Sequence, residues 1–437
     1  MTEPAPAPHR TPAGEALDAG WSRLHPLSPL LRGGRFLLGA LAVVGQQGLR
    51  EASLRTLLVG VAAVVPVGLL VGFVSWRTTR YRLTPTELQV DSGLLQRRSR
   101  RVPLARLQSV DVVRSLAARV LGLAELRLEV AGGGDTEAPL AYLSEVEARH
   151  LRGRLLAGSS GAPATDDATE AVLVAVPTGA LVTSVLLGGP AIVTALLLAV
   201  VVPVLVLAPG RAPALLAGLA PVGLGTAGFV VRRLLAEYGF TVAESPDGLR
   251  LRHGLLDTRA QTIPYGRVQA VRVTEPLLWR RRGWVRVEVD VAGYAATRGE
   301  EQTRTSALLP VAPRQFALAL TERVLGSPLP PAAYPAPCSA RWRAPLSARR
   351  LRVGVDDRHL VATSGVLTTT TDVVPLTKVQ SLRLVQGPWQ RRLALASLHV
   401  DSAGRRLPGA VARHRDAAQA QALLADLTAR ARRARRR

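Results

Sequence analysis

Gly93-Leu94-Leu95, Val102-Pro103-Leu104, Leu107-Gln108-Ser109-Val110 and Arg119-Val120-Leu121-Gly122 form a series of segments that recurs twice more along the chain. The second copy reads Gly254-Leu255-Leu256, Ile263-Pro264-Tyr265, Val268-Gln269-Ala270-Val271 and Arg280-Arg281-Arg282-Gly283. The third reads Gly365-Val366-Leu367, Val374-Pro375-Leu376, Val379-Gln380-Ser381-Leu382 and Arg391-Arg392-Leu393-Ala394. In every copy glycine precedes proline by ten residues, proline precedes glutamine by five, and proline precedes the last Gly/Gly/Ala position by nineteen. Agreement at so many fixed offsets marks an internal repeat, and the repeat sets the architecture.

Within each copy the pattern is that of strands followed by a helix. Leu126–Val130, Val285–Val289 and Leu398–Asp401 alternate apolar and polar side chains, as half-buried antiparallel strands do. The triplet glycines suit turns between strands, and the prolines suit a strand start or an edge. Ser144-Glu-Val-Glu147 has the spacing of a capping box, opening a helix through Leu156. Pro313 fits the first helical position before Phe316 to Leu325, and Ala417 to Leu427 is the matching helix of copy three. Each copy therefore predicts a small α+β domain, a β-barrel or sandwich capped by a C-terminal helix.

Two apolar blocks precede the first two copies. Leu57–Trp76 is twenty residues without a charge, enough for a helix to cross a hydrocarbon core of roughly 30 Å. A shorter segment from about Leu30 to Gly45 predicts a first, tilted span before it. The second block runs from Ala171 to Val231 and is broken at Ala208–Pro213, around its single charge Arg211. Two spans, Leu181 to Leu207 and Leu215 to Val231, are the simplest assignment; a turn at Gly188-Gly189-Pro190 would make three. Arginines follow both blocks (Arg77, Arg80, Arg82; Arg232, Arg233), so the positive-inside bias puts both following regions in the cytoplasm and favours an even number of spans. The expected order is a disordered tail (1–29), a transmembrane hairpin (30–76), domain 1 (77–158), a linker (159–170) and a second hairpin (171–231). Domain 2 (232–326), a Pro-rich linker (327–340), domain 3 (341–428) and a basic tail (429–437) complete it.

The segment Tyr81-Arg82-Leu83-Thr84, the Gly-Leu-Leu triplet, the Val-Pro-Leu and Leu-Gln-Ser-Val segments and the Arg-x-Leu-Gly turn resemble the bacterial pleckstrin-homology-like domain. In that family the domain occurs singly or repeated in membrane proteins of the YdbS/YdbT type. The resemblance covers nearly all of residues 30 to 430 and implies α-helical transmembrane hairpins carrying three PH-like domains in a bacterial inner membrane. Copy two departs from it with Tyr238-Gly239-Phe240-Thr241, and copy three with Leu351-Arg352-Val353-Gly354.

Composition narrows the function classes. The 437 residues carry a formal net charge of +24, which draws the chain to anionic headgroups or nucleic acid. Lys378 is the single lysine, so arginine content also reflects a compositional bias. One cysteine, Cys338, excludes an intrachain disulfide framework or a multi-cysteine zinc site. The seven histidines lack metal-ligand spacing, and His399 near Asp401 and Ser402 is a weak candidate for a triad. Gly223-Leu-Gly225-Thr-Ala-Gly228 falls in an apolar span, where small residues pack helices rather than bind a dinucleotide. No cofactor is expected, and the chain reads as a non-enzyme. The candidate headgroup-facing residues are Arg97, Arg98, Arg100 and Arg101 in copy one, Trp279, Arg280, Arg281 and Arg282 in copy two, and Trp389, Arg391 and Arg392 in copy three. Guanidinium groups suit phosphates, and an indole suits the headgroup level. The expected role is a membrane scaffold or adaptor binding anionic lipids, protein partners or further copies of itself. The alternative is a component of a transport or envelope-defence system. Nucleic acid is disfavoured by the lack of an aromatic stacking platform.

Overall fold

The computed structural model describes residues 21–28, 54–93, 98–130, 138–160, 171–207, 210, 212–245, 248–291, 307–403, 407 and 409–436. The chain divides into two compact units, Met1–Ala131 with Thr136–Asp166, and Gly132–Asp135 with Asp167–Arg437. The first unit contains the first repeat; the second contains the other two.

In the first unit, β1 (Ser22–Arg23), β2 (Arg80–Leu83), β3 (Glu87–Ser92) and β4 (Arg98–Pro103) form an antiparallel sheet in chain order. The apolar helix α1 (Leu54–Thr78) leads into β2. Its Trp76 indole N–H donates to the Leu24 carbonyl at 2.8 Å, tying the helix end to the sheet. A second set, β5 (Leu107–Arg114), β6 (Leu123–Val130) and β7 (Ala138–Ser144), pairs as an antiparallel meander, with the single-turn helix α2 (Leu116–Val120) between β5 and β6. The closing helix α3 (Glu145–Ser160) starts on the expected capping box. The Glu147 amide donates to Ser144 Oγ at 3.2 Å, and Glu147 Oε2 accepts the Ser144 amide at 3.2 Å. Leu88, Leu126, Leu128 and Leu155 fill the core among strands and helix with no exposed surface.

The second unit repeats this order twice. Its first sheet is β8 (Ala171–Ala175), β9 (Thr241–Ser245), β10 (Gly248–His253) and β11 (Thr258–Ile263). Between β8 and β9 lie α4 (Thr178–Leu186), α5 (Gly189–Leu207) and α6 (Ala212–Glu237). Next come β12 (Val268–Pro276), the short α7 (Leu277–Arg280), β13 (Trp284–Val291), β14 (Ala307–Pro313) and the closing helix α8 (Arg314–Leu325). The third repeat is β15 (Tyr334–Pro335), β16 (Arg352–Val355), β17 (His359–Ser364) and β18 (Thr368–Pro375). Then follow β19 (Val379–Val385), α9 (Pro388–Arg392), β20 (Leu395–Ser402), β21 (Ala410–Asp416) and α10 (Ala417–Arg436).

The recurrent motifs now have physical reasons. Gly254 (φ +107) and Gly365 (φ +98) occupy turns where a Cβ would sit 2.1 and 2.0 Å from a carbonyl oxygen, so only glycine fits. The glutamine of each Leu/Val-Gln-Ser/Ala segment is the extra residue of a β-bulge. Register slips between Leu107 and Ser109, Val268 and Ala270, and Val379 and Ser381 in the three copies. The motif prolines sit at the strand's far end rather than its start, ahead of a single 3₁₀ turn. Pro313 likewise ends β14 as the residue capping α8, one position earlier than expected.

The second and third repeats are joined by strand pairing. β12 pairs antiparallel with β18, from Val271↔Val373 to Pro276↔Thr368, making one seven-stranded sheet in the order β14-β13-β12-β18-β17-β16-β15. Arg272 Nε meets Asp372 Oδ1 at 2.5 Å across this junction. Domains 2 and 3 of the sequence reading thus share a sheet within one compact unit, and the expected linker contributes β15 to it.

Two further expectations change. The stretch from Leu181 to Leu207 is not one helix. It breaks at Leu187-Gly188, and α4, about 14 Å long, buries Leu181, Ser184 and Val185 in the second repeat. That leaves α5 and α6, which pack together with Thr194 Oγ1 donating to Thr226 Oγ1 at 2.6 Å. Leu58–Thr78 and Gly189–Leu207 are each long and apolar enough to cross a membrane. The expected span Leu30–Gly45 lies outside the described residues. The expected basic tail is also not a tail. α10 continues to Arg436 because Ala420, Leu424, Leu427, Ala431 and Ala434 recur at helical spacing, and Ala431 is buried.

The end of α6 is fastened to the second repeat by a partly buried ion cluster around the buried Glu237. Arg286 Nη1 lies 2.7 Å from Glu237 Oε1, Arg233 Nε lies 3.2 Å from Glu237 Oε2, and Arg286 Nε lies 3.0 Å from Glu288.

Candidate functional site

The short helices α2, α7 and α9 are one structural element seen three times, the turn between the first two strands of each three-stranded set. Their caps differ (Ser115, Pro276, Gly387), but all three leave an extended residue and turn once. One turn of helix has an inner and an outer side, and the repeat offsets decide which residue lies where. Ala118, Trp279 and Gln390 are equivalent by those offsets, and all three are buried.

Trp279 is therefore not a headgroup-facing residue, contrary to the sequence expectation. It is 1% exposed, and its indole N–H donates to the Ser184 carbonyl at 3.0 Å. Trp389 stands one residue earlier in the repeat, at the place of Ala117 and Leu278, and is 66% exposed. A one-residue offset is about 100° of rotation on a helix, which separates the two tryptophans. The Arg392 guanidinium lies 5.7 Å from the Trp389 ring centroid, and that of Arg282 lies 5.0 Å from Trp284.

The arginines also divide. Arg281, Arg282, Arg391 and Arg392 are exposed on the outer side of their turns. Arg280 instead reaches the third repeat, donating to the Val366 carbonyl at 2.7 Å and to Thr369 Oγ1 at 2.5 Å. Burial holds its guanidinium pKa below the ordinary value, with Arg350 nearby adding to that effect. Its role is to fasten the junction between repeats, not to meet a headgroup. In copy one, Arg98, Arg100 and Arg101 lie on β4, in the other sheet from α2, and Arg97 is outside the described residues. The turn position of copy one holds Arg119, which is exposed.

Sequence reasoning missed the apolar partners of these arginines. Leu116, Val120 and Leu121 around α2 are 52%, 82% and 38% exposed, and Leu277 on α7 is 48% exposed. The signal was available, because the offsets put them on the same turn as Trp389. Exposed apolar side chains beside arginines make a turn amphipathic, with charge for phosphate and carbon for the layer beneath it.

Among the described residues no catalytic grouping assembles around His399 or the glycine motif. Asp401 Oδ2 accepts from Ser381 Oγ at 2.7 Å and from Arg383 Nε at 2.9 Å, so its carboxylate serves those groups rather than His399. Burial depresses the His399 pKa, and Arg383 adds to this. Gly223, Gly225 and Gly228 lie within α6, without the preceding strand a dinucleotide loop needs. Among the described residues no cluster of His, Cys, Asp and Glu has the makings of a metal site.

An 80-residue stretch is 30% identical to the UPF0699 transmembrane protein YdbT of Bacillus subtilis (strain 168), a match spanning 18% of this chain and 16% of that protein. No solved structure matches the chain. The bacterial PH domain matches three times, over residues 36–159, 172–327 and 332–431. Each stretch takes in one round of strands closed by a helix, apart from β1, which precedes the first, and the end of α10; the chain belongs to the bacterial PH domain family.

Proposed function

We propose that this protein is a multi-pass membrane scaffold without catalytic activity of its own, which holds three PH-like repeats against the cytoplasmic face and binds anionic headgroups through their α2, α7 and α9 turns. The observation that carries this reading is the coincidence, at one repeat position in three copies, of exposed apolar side chains with exposed arginines. The lengths of α1, α5 and α6 support membrane-crossing helices, and the packing of α5 on α6 supports a hairpin in the second apolar block. Arginines after both apolar blocks support a cytoplasmic placement of the repeats. The Bacillus subtilis relative is itself named a transmembrane protein, which agrees.

The test uses the full chain in nanodiscs of phosphatidylcholine alone or mixed with phosphatidylglycerol, with brominated acyl chains. Quenching of Trp389, taken as the difference between parent and Trp389→Phe, is expected only in the anionic discs. It is expected to fall with salt and in the double variant Arg391→Gln, Arg392→Gln. Equal quenching in neutral and anionic discs sinks the headgroup assignment.

A second reading, recognition of a protein strand, is favoured by β19. Its equivalent β12 is covered by β18, whereas β19 ends its three-stranded sheet. Arg383 and Val385 on it are exposed, and Leu382 and Leu384 are half-buried, where β12 buries Val271 and Val273. An open edge of this kind accepts an added strand.

A further inference from the structure

Residues that the repeat does not call for are the ones the fold can spare for another purpose. Two such departures meet at one cavity of the second unit. The first is His359, which stands where the other copies have Glu87 and Gly248. The second is the length of α10, twenty residues against twelve in α8 and sixteen in α3. The added turns bring Arg430 and Arg433 to a cavity of about 370 Å³ between the end of α8 and the start of β17.

The lining of this cavity combines basic and polar groups with apolar ones. Arg358, His359, Arg430, Arg433, Ser327 and Thr377 line it together with Leu325, Pro375 and Ala434. One carboxylate, Asp357, also lines it and is matched by Arg430 at 2.9 Å. Arg430 is held from its own helix by Asp426 at 2.8 Å. Arg358 and Arg433 have no carboxylate partner among the described residues, which leaves the lining with surplus positive charge. His359 is 2% exposed, with Nε2 3.5 Å from Ser327 Oγ. Its Nδ1 is buried without a hydrogen-bond partner, Asp356 being 3.9 Å away. A buried polar atom left unbonded is costly, so His359 is held beside the cavity without a full set of partners.

We propose that this cavity is a binding site for a phosphoryl group on a short organic stem, with Arg358 and Arg433 as the charge-bearing contacts, Arg430 oriented by its two aspartates, and His359 with the hydroxyls completing the hydrogen bonds. Guanidinium forks match phosphoryl oxygens in geometry and charge. The volume exceeds that of a bare phosphate, and the Leu325, Pro375 and Ala434 wall suits the carbon of a stem. Such a phosphoryl group belongs either to a soluble phosphate ester or to a phospholipid headgroup.

The experiment is a titration of the full chain in a neutral detergent with glycerol 3-phosphate, inorganic phosphate and monomeric dihexanoyl phosphatidylglycerol, followed by calorimetry. Saturable binding of glycerol 3-phosphate is expected, weakened roughly tenfold or more in Arg358→Gln, Arg433→Gln, since two charge-assisted contacts are lost. His359→Asn is expected to weaken it too, while Arg391→Gln, Arg392→Gln leaves it unchanged and so separates this cavity from the turns. Competition by the short-chain lipid assigns the site to a headgroup, and its failure to compete assigns the site to a soluble ester. Both exchanged arginines lie on the surface, so the variants keep the fold, checked by unchanged melting. No saturable binding of any probe, or equal binding by parent and Arg358→Gln, Arg433→Gln, overturns the proposal.

Discussion

Ala394 is the place to perturb the repeat, because it holds a backbone conformation that the other two copies assign to glycine. Its φ is +52°, against +67° for Gly122 and +61° for Gly283 at the equivalent positions. A left-handed residue with a Cβ costs roughly 1–2 kcal/mol. Glycine there removes that strain but adds freedom to the unfolded chain, which offsets roughly 0.5–1 kcal/mol. Ala394→Gly should therefore stabilise the third repeat by about 0.5–1 kcal/mol, and Gly283→Ala should destabilise the second by a similar amount. Packing does not blur the comparison, since a Cβ at Gly283 would have nothing within 4 Å. A chain of several cooperative units has no single unfolding free energy, so a local readout is needed. Amide exchange in β20 for the first variant and β13 for the second should change roughly two- to fivefold in opposite directions. Slower exchange in Gly283→Ala, or faster exchange in Ala394→Gly, would refute the account of the turn.

Glu237→Ala should destabilise the second repeat by about 3 kcal/mol, because it leaves the Arg233 and Arg286 charges partly buried beside the remaining Glu288; proteolysis near β13 in detergent should accelerate accordingly. Burial lowers the pKa of His253, His359, His399 and His414 below their ordinary 6.5. The unfolded chain then binds their protons more readily, so stability is full above about pH 6.5 and falls as acid is added through that value. Melting between pH 7.5 and 5.5 should show this fall, with a shallower slope in His253→Gln, whose parent ring is 4% exposed. Reporter fusions after Ser160 and at Glu300 should read the same side of the membrane; opposite sides would contradict an even number of spans in the second apolar block.

The parts of the fold that the sequence revealed were those written in local spacing. Alternation gave β6, β13 and β20, the Ser144–Glu147 pair gave the start of α3, and the glycine of each triplet gave a turn. The pairing of β12 with β18 was hidden because no period links residue 271 to residue 373. Thr368-Thr-Thr-Thr371 carries no apolar stripe to announce a buried junction. The candidate site was half legible. Arginine clusters drew attention to the right turns, but an indole amid arginines looks alike whether it faces inward or outward. Only alignment of the three copies separates Trp279, at the position of buried Ala118, from Trp389. The helical Ala429–Arg436 segment was misjudged because its arginines masked an alanine spacing that continues the buried face of α10.

Duplication gave every copy the same two edges, and charge decides how each is used. Within the second unit Arg272 of β12 faces Asp372 of β18, an attractive pair. The equivalent of Arg272 in the third copy is Arg383, and the equivalent of Asp372 in the first is Arg100. Stacking β19 of one molecule on β4 of another in the same register would set Arg383 opposite Arg100 and lay the strand along Arg98, Arg100 and Arg101 of β4. Like charges directly opposite on paired strands are unfavourable. Arg383 is meanwhile engaged by Asp401 through Nε at 2.9 Å and Nη2 at 3.2 Å, so it has less to gain from a carboxylate on another molecule. The same fold that joins repeats two and three thus disfavours an endless head-to-tail stack of whole molecules. An occupant of the β19 edge would have to be neutral or acidic where β4 is basic, as β18 is. The basic β4 edge is better matched to a negatively charged surface than to another copy of this chain.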